Sequence, residues 1–279
     1  MKTHGIGSRL SLIPFAAVLM AGLLITAPRA SAVSTIHVNC SRQDLQAKID
    51  LAPPGSILVI TGTCHGNFHL AQDMTLKGTK SATLDGDDTG TTLAITGTPT
   101  VHLIGLIVTG GLAPAGGGIN KAGGRLTLDH VTVEFNLATG QDTQGGGILS
   151  QAGSLRLTDS AVVHNRALSS RSGGASATGG GIHSMGQLTI IGSVLDANRA
   201  VAISSGNNSL ARGGGISEGP ETLTVSNSHI DGNHLFASGP LGAGVVGGGI
   251  DEASPSLSIA DSTLSKNVAT ASGAPGAEV

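Results

Sequence analysis

The tetrapeptide Gly-Gly-Gly-Ile occurs five times, beginning at Gly116, Gly145, Gly179, Gly213 and Gly247, with spacings of 29, 34, 34 and 34 residues. Each copy is followed by an apolar pair separated by one residue: Leu126 and Leu128, Leu155 and Leu157, Leu188 and Ile190, Leu223 and Val225, Leu257 and Ile259. Ten residues after the first member of each pair stands an asparagine, at Asn136, Asn165, Asn198, Asn233 and Asn267. Three residues before each asparagine comes Val133, Val162, Leu195, Ile230 or Leu264. A period near 34 also suits helix-hairpin repeats. Three consecutive glycines would cost a helix about 1 kcal/mol each, however, and apolar residues at every second position mark strands. The pattern therefore predicts short strands separated by turns, wound so that each coil pairs in parallel with the next about 4.8 Å away. The expected fold class is all-β, a right-handed parallel β-helix.

In such a solenoid each register becomes a column. The Leu126 column, the Val133 column and the isoleucine after each triplet are expected to point inward as aliphatic ladders. Ala138, Ala167, Ala200 and Ala269 are expected inside where the coil is tight. The asparagines predict a structural ladder at a corner, where Asn tolerates left-handed geometry and stacked amides bond to the coils above and below. The glycines let the chain bend sharply against its neighbour. Thr139 to Gln144, Leu168 to Thr178, Val201 to Arg212 and Phe236 to Val246 then leave the coil at one corner. They read as loops along one flank, serving either as variable contacts or as flexible spacers.

Upstream the repeat is degenerate. Val101 to Leu103 and Leu106 to Val108 keep the strand spacing, with Gly111 in the asparagine's place, and Ile57 to Ile60, Met74 to Leu76, Ala82 to Leu84 and Leu93 to Ile95 supply earlier strands. Ser41 to Leu51 reads as a short helix. Ser41 and Asp44 resemble a capping box, Leu45 and Ile49 share a face, and Pro53-Pro54-Gly55 stops it. It is expected to plug the N-terminal end of the solenoid, whose apolar interior and strand edges would otherwise be open. No comparable cap follows Asn267, so a further coil or another chain is expected to cover that edge. The organisation is thus a signal peptide at 1–32, an N-terminal strand and capping helix at 33–55, and the β-helix at 56–279.

Lys2 and Arg9 precede an apolar run from Leu10 to Ala27, and Ala30-Ser31-Ala32 supplies the small residues of a cleavage site. The run approaches the roughly 20 residues of a membrane span, but Ser11, Pro14 and the A-x-A ending favour an exported precursor cut after Ala32 and secreted. Lys2, Arg9 and Arg29 account for three of the 15 basic residues, so the remainder carries twelve against 18 acidic ones. This acidic balance argues against nucleic acid as a partner, and stable membrane insertion after cleavage is not expected. Cys40 and Cys64 are the only cysteines. In an exported chain they predict a structural disulfide worth about 3 kcal/mol. The absence of Trp and Tyr, with only 4 Phe, excludes an ordinary aromatic-rich core, and 44 glycines without a three-residue period exclude collagen.

At Gly117-Gly118-Ile119, Val133-Glu134-Phe135-Asn136 and their four equivalents the chain resembles the right-handed β-helix proteins of the pectate-lyase-like superfamily. In particular it is similar to polymorphic outer membrane protein repeats, which carry Gly-Gly-Ala-Ile and Phe-x-x-Asn in each coil. Val, Leu or Ile replaces the motif's phenylalanine here. The likeness covers about residues 36–279 and implies the architecture. Lyases, hydrolases, adhesins and scaffolds all share that architecture, so it does not choose a function. Members that are autotransporters end in a membrane barrel, which this sequence does not contain.

Two outward columns carry charged side chains. Glu134, Val163, Asp196, Asp231 and Ser265 share one register, where Asp196 and Asp231 would be neighbours able to hold calcium. Leu137, Arg166, Arg199, His234 and Val268 share another, where Arg166 beside Arg199 would suit a uronate carboxylate. Asp85, Asp87 and Asp88 read as turn chemistry. His65 lacks further Cys or His residues to complete a metal site, and His130, His164, His183, His229 and His234 fall in different columns. No catalytic, metal-ligating or cofactor-binding residue is therefore assigned, and no cofactor is expected beyond calcium at the Asp196–Asp231 pair. The expectation is a secreted non-catalytic module, adhesin-like or structural, with a glycan or protein as partner; the alternative is a polysaccharide lyase or glycoside hydrolase on an acidic polysaccharide.

Overall fold

The computed structural model describes residues 1–2, 33–219, 221–253 and 256–273. The signal-peptide reading falls on residues outside these, apart from Met1 and Lys2. From Val33 onward the chain is nearly all β, with one short helix, and its strands stack in parallel as a β-helix.

The first coils are simple. Thr35–Asn39 pairs with Ser56–His65, which pairs with Met74–Asp85, which pairs with Thr100–Thr109. A second sheet stacks Phe68–Leu70, Leu93–Ile95 and Ile119–Lys121. Thr100–Thr109 is then met on its other side by two strands, Arg125–Asp129 and Thr132–Glu134. A corner at His130 separates these two, and the same split persists in every later coil. The predicted columns are in register. Leu126, Leu155, Leu188, Leu223 and Leu257 are aligned, as are Val133, Val162, Leu195, Ile230 and Leu264. Ile119, Ile148, Ile182, Ile216 and Ile250 align likewise. They fill one continuous aliphatic core. In the last coil the corresponding Leu257, Ile259 and Leu264 are exposed.

The helix α1 spans Leu45–Leu51, four residues shorter at its start than the sequence suggests. Asp44 is its N-cap, accepting a hydrogen bond from the Ala47 amide at 3.1 Å. Ser41 instead bonds to the Asn39 side chain within the preceding turn. Leu45 and Ile49 are buried in the core. Gln46 imitates a strand: its side chain donates to the His69 carbonyl at 3.1 Å and accepts from the His69 amide at 2.7 Å. The plug therefore covers apolar side chains and an open strand edge together. Cys40 and Cys64 form a disulfide, with Cα atoms 4.9 Å apart, tying the end of the first strand to the second.

The segments read as loops are strands. Leu137–Gly140, Arg166–Arg171, Arg199–Ser204 and His234–Gly239 run outward, and Asp142–Gln144, Ala175–Thr178, Ser209–Arg212 and Ala243–Val246 return. Each set stacks as its own parallel sheet, so the flank is an ordered two-layer fin. Ala138, Ala167 and Ala200 face Ala175, Ala177 and Ala211 inside it, forming a second core separate from the barrel. These alanines are inside, as expected, but inside the fin. Cα atoms of facing strands come within 8 Å, nearer than the roughly 10 Å between ordinary stacked sheets. Methyl side chains are what that separation admits.

The neck of the fin is made by the asparagines and glycines. From the first glycine of each triplet to its asparagine the chain takes 20, 20, 19, 20 and 20 residues; from asparagine to the next triplet it takes 9, 14, 15 and 14. Each asparagine amide donates to the side-chain oxygen of the next, at 3.0–3.1 Å from Asn136 through to Asn267. The same oxygen accepts the backbone amide of the preceding asparagine. Gly111 joins by its backbone, donating to Asn136 at 2.9 Å. The asparagines are not themselves left-handed. The residue before each one is: Phe135, His164, Ala197, Gly232 and Lys266 all have φ between 53° and 61°. The third glycine of each triplet packs against this ladder, and a Cβ on Gly147 would lie 2.9 Å from both Asn165 Cγ and the Gly181 carbonyl oxygen.

A second ladder lies five residues upstream of the first. The amides of Val131, Ser160, Ser193 and Ser228 each donate to the hydroxyl of the next serine, ending at Ser262, all at 3.1 Å. The preceding residues, His130, Asp159, Gly192, Asn227 and Asp261, are again left-handed.

Two expected outcomes follow for equilibrium unfolding in urea. Asn198→Ala removes bonds to Val162, Asn165 and Asn233 and leaves buried partners unpaired, a loss of about 3 kcal/mol. Replacing Cys40 and Cys64 by serine lowers stability by about 3 kcal/mol through the 24-residue separation they close.

Candidate functional site

Arg166 and Arg199 are the first residues of consecutive outgoing fin strands and lie in register, with His234 on the next coil. All three side chains are exposed. Among the described residues neither arginine has an acidic partner within 4 Å. Partial burial and the charge of Arg199 lower the Arg166 pKa. The fold thus holds two like charges one coil apart at a fixed spacing.

Asp196 and Asp231 are also in register. Asp231, however, accepts hydrogen bonds from the amide and hydroxyl of Ser265, both at 2.9 Å. The carboxylate–histidine groups that could converge on a metal, among the described residues, do not include this pair. Those groups are His65 with Asp85 and Asp87, and Asp129 with His130 and Asp159. His65 lies 2.8 Å from Asp87 and His130 lies 2.6 Å from Asp129, and these hydrogen bonds raise both histidine pKa values. All four side chains are open to solvent, where they close surface turns.

The second sheet brings together residues that the sequence reading kept apart. His183, Ser217 and Asp251 occupy one register on its outer face. That face is covered, because Arg212 on a returning fin strand lies 3.5 Å from Asp251. The hydroxyl of Ser217 donates to Asp251 at 3.3 Å, while His183 Nδ1 meets the Ser217 carbonyl at 3.2 Å. Burial lowers the His183 pKa. The histidine therefore addresses the serine's backbone and leaves its hydroxyl to the aspartate. A nucleophile needs the opposite order, with the base on the hydroxyl. The signal for this cluster was the residue immediately after each Gly-Gly-Gly-Ile.

One position further on, Lys121, Ser150, Ser184, Glu218 and Glu252 form an inward column. Lys121 is fully buried, donates to the Ser150 hydroxyl and the Ala152 carbonyl, and is pushed down by burial to about 8. Glu218 is 3% exposed and neither carboxylate oxygen has a hydrogen-bond partner. Burial, with Glu252 and Glu221 alongside, pushes its carboxyl up to about 7. Outside this corner runs a groove of about 570 Å³ along several coils, lined by Thr100, Arg125, Ser154, Met185, Gln187 and Glu221 among others.

Comparison with family models, with curated proteins and with solved structures finds no match to this chain.

Glu218 makes stability depend on pH. The folded protein holds this proton up to about pH 7, whereas the unfolded chain releases it near 4.5. The unfolded state binds fewer protons between those values, so this group's stabilisation is full below about 4.5 and is lost as pH rises through about 7. The stability difference between wild type and Glu218→Gln, measured by urea unfolding from pH 4 to 8, is expected to move against wild type as pH rises and then level off.

Proposed function

We propose that the protein is an exported β-helix that binds an acidic polysaccharide without cleaving it, through the Arg166–Arg199 pair with His234 beside them. The observation that carries this reading is the pair of arginines held in register with no acidic partner. A like-charge pair on a rigid sheet gains from an anion that bridges it, and guanidinium groups take carboxylates in bidentate fashion. A polymer with carboxylates along its length meets such a column at several points, and multiple weak contacts add as avidity. The β-helix supports the reading by fixing the column's spacing at one coil, about 4.8 Å.

Export is inferred from the basic and apolar N-terminal sequence and its A-x-A site. The disulfide agrees with an oxidising compartment. Among the described residues no helix is long and apolar enough to cross a membrane. The Gly-Gly-Ile and Val-x-x-Asn motifs, which resemble those of pectate-lyase-like repeat proteins, agree with this reading. Binding is preferred over calcium-dependent lyase chemistry because Asp231, one of the two carboxylates in register for a calcium ion, is engaged by the amide and hydroxyl of Ser265.

The test is retention of purified protein on immobilised polygalacturonate and alginate, with neutral dextran as control. Wild type is expected to bind the acidic polymers, more weakly as salt rises, and Arg166→Gln/Arg199→Gln to lose at least about tenfold in affinity. Equal retention on dextran, or unchanged retention of the double variant, overturns the assignment. Formation of unsaturated uronide absorbance would replace it with the lyase reading.

A further inference from the structure

The groove at the turn from the second sheet into the main one has a cause in the sequence. Gly124, Gly153 and Gly186 stand just before Arg125, Ser154 and Gln187, which are in register on three successive coils. A Cβ on Gly124 would lie 2.1 Å from the Pro99 carbonyl oxygen, one on Gly153 2.1 Å from that of Gly124, and one on Gly186 2.4 Å from that of Gly153. Stacking therefore forbids side chains along this turn and leaves a trench. On the next coil the equivalent position is Glu221, which does carry a side chain. The column beside the glycines is polar throughout, as Thr100, Arg125, Ser154 and Gln187. Met185, 38% exposed, adds an apolar side chain to the lining.

The groove also has an electrical direction. Arg125 and Glu221 both line it and stand three coils apart, about 14 Å at 4.8 Å per coil. Among the described residues neither has an ion-pair partner. The inward column behind the turn repeats the order, with Lys121 on the coil of Arg125 and Glu218 on the coil of Glu221. Lys121 donates to the carbonyl of Ala152, itself part of the lining. One half of the groove therefore favours a negative group and the far end a positive one.

We propose that this groove binds a short extended peptide of about four residues by its two charged ends, the C-terminal carboxylate at Arg125 and the N-terminal ammonium at Glu221. An extended chain covers about 3.3–3.6 Å per residue, so four residues span the distance between the two charges. Capture of free peptide termini is a general mode of recognition, and a guanidinium takes a carboxylate in bidentate fashion. Between the ends, Ser154 and Gln187 offer hydrogen-bonding groups to the peptide backbone, and Met185 offers a surface to one apolar side chain. A uronate polymer fits this groove poorly, because it would set a carboxylate against Glu221. A neutral glycan would leave both charges unmet. The site lies on a different turn from the Arg166–Arg199 pair and does not depend on it.

The test is equilibrium dialysis of purified protein against isotopically labelled tetra-alanine at low salt, with its N-acetyl and C-amide forms, di-alanine and cellotetraose alongside. Wild type is expected to bind tetra-alanine, to bind di-alanine more weakly, and to lose about fivefold in affinity when either end is capped, the upper range for an exposed ion pair. Arg125→Gln is expected to bind the free and amidated peptides equally while still disfavouring the acetylated one, and Glu221→Gln to do the converse. Both side chains are exposed, and the capped peptides test the same contacts on wild type without any substitution. The proposal is overturned if tetra-alanine does not bind, if the capped peptides bind as tightly as the free one, if either variant keeps both discriminations, or if cellotetraose binds more tightly than tetra-alanine.

Discussion

Everything beyond the barrel depends on the contact between the asparagine ladder and the glycine triplets. At the neck the chain leaves the coil and returns to it, so two stretches of backbone from one coil run side by side under a neighbouring pair. A methyl group on Gly146 would sit 2.3 Å from the Gly180 carbonyl oxygen and 2.4 Å from the backbone of Arg166, and there is no direction in which to move it. Close approach leaves polar backbone with no access to water. The asparagines supply what is missing, since one side-chain oxygen takes two donors from the coil before and one amide serves the coil after. Glycine makes the space, and asparagine satisfies the groups enclosed in it.

Stacking also sets the electrostatics. A solenoid places each residue over its counterpart, so a charge repeated in sequence becomes a charge repeated in space. Two unit charges 4 Å apart interact by about 1 kcal/mol in water and about 4 kcal/mol at an effective dielectric of 20. Outside, at Arg166 and Arg199, solvent makes repetition tolerable. Inside, at Glu218, burial first and the neighbouring Glu252 and Glu221 charges after it hold the proton up to about pH 7.

Registers carrying repeated residue types were legible in the sequence: the glycines, the leucine pairs, the valine column and the asparagines each repeat five times, and the sheet pairing follows them. What could not be read was of two kinds. The fin strands are built from alanine, serine and glycine, which carry little hydrophobic alternation, so ordered sheets resembled spacers. The serine ladder begins with Val131, and the left-handed corners use His, Asp, Gly and Asn interchangeably, because geometry and not side-chain chemistry is conserved from coil to coil there. The columns that hold Glu218 and His183 were hidden for a related reason. They repeat no single residue type throughout, running Lys, Ser, Ser, Glu, Glu and Asn, Leu, His, Ser, Asp, and only alignment to the triplets reveals that they are columns. The helix start was misplaced because Ser41 has the composition of a cap, whereas Asp44 has the geometry.

The unequal repeat spacing acquires a meaning from the fin. The barrel portion of each coil is 19 or 20 residues, while the neck-to-neck excursion varies from 9 to 15. The shortest excursion, after Asn136, accounts for the single spacing of 29 among spacings of 34. Length variation has been shunted into a side compartment whose boundaries are clamped on both sides. A residue gained within a barrel strand would turn the side chains after it in that strand to the wrong face, but residues gained beyond the clamp leave the phase of the next coil untouched. The fin is the margin in which such a chain can drift in length without losing count.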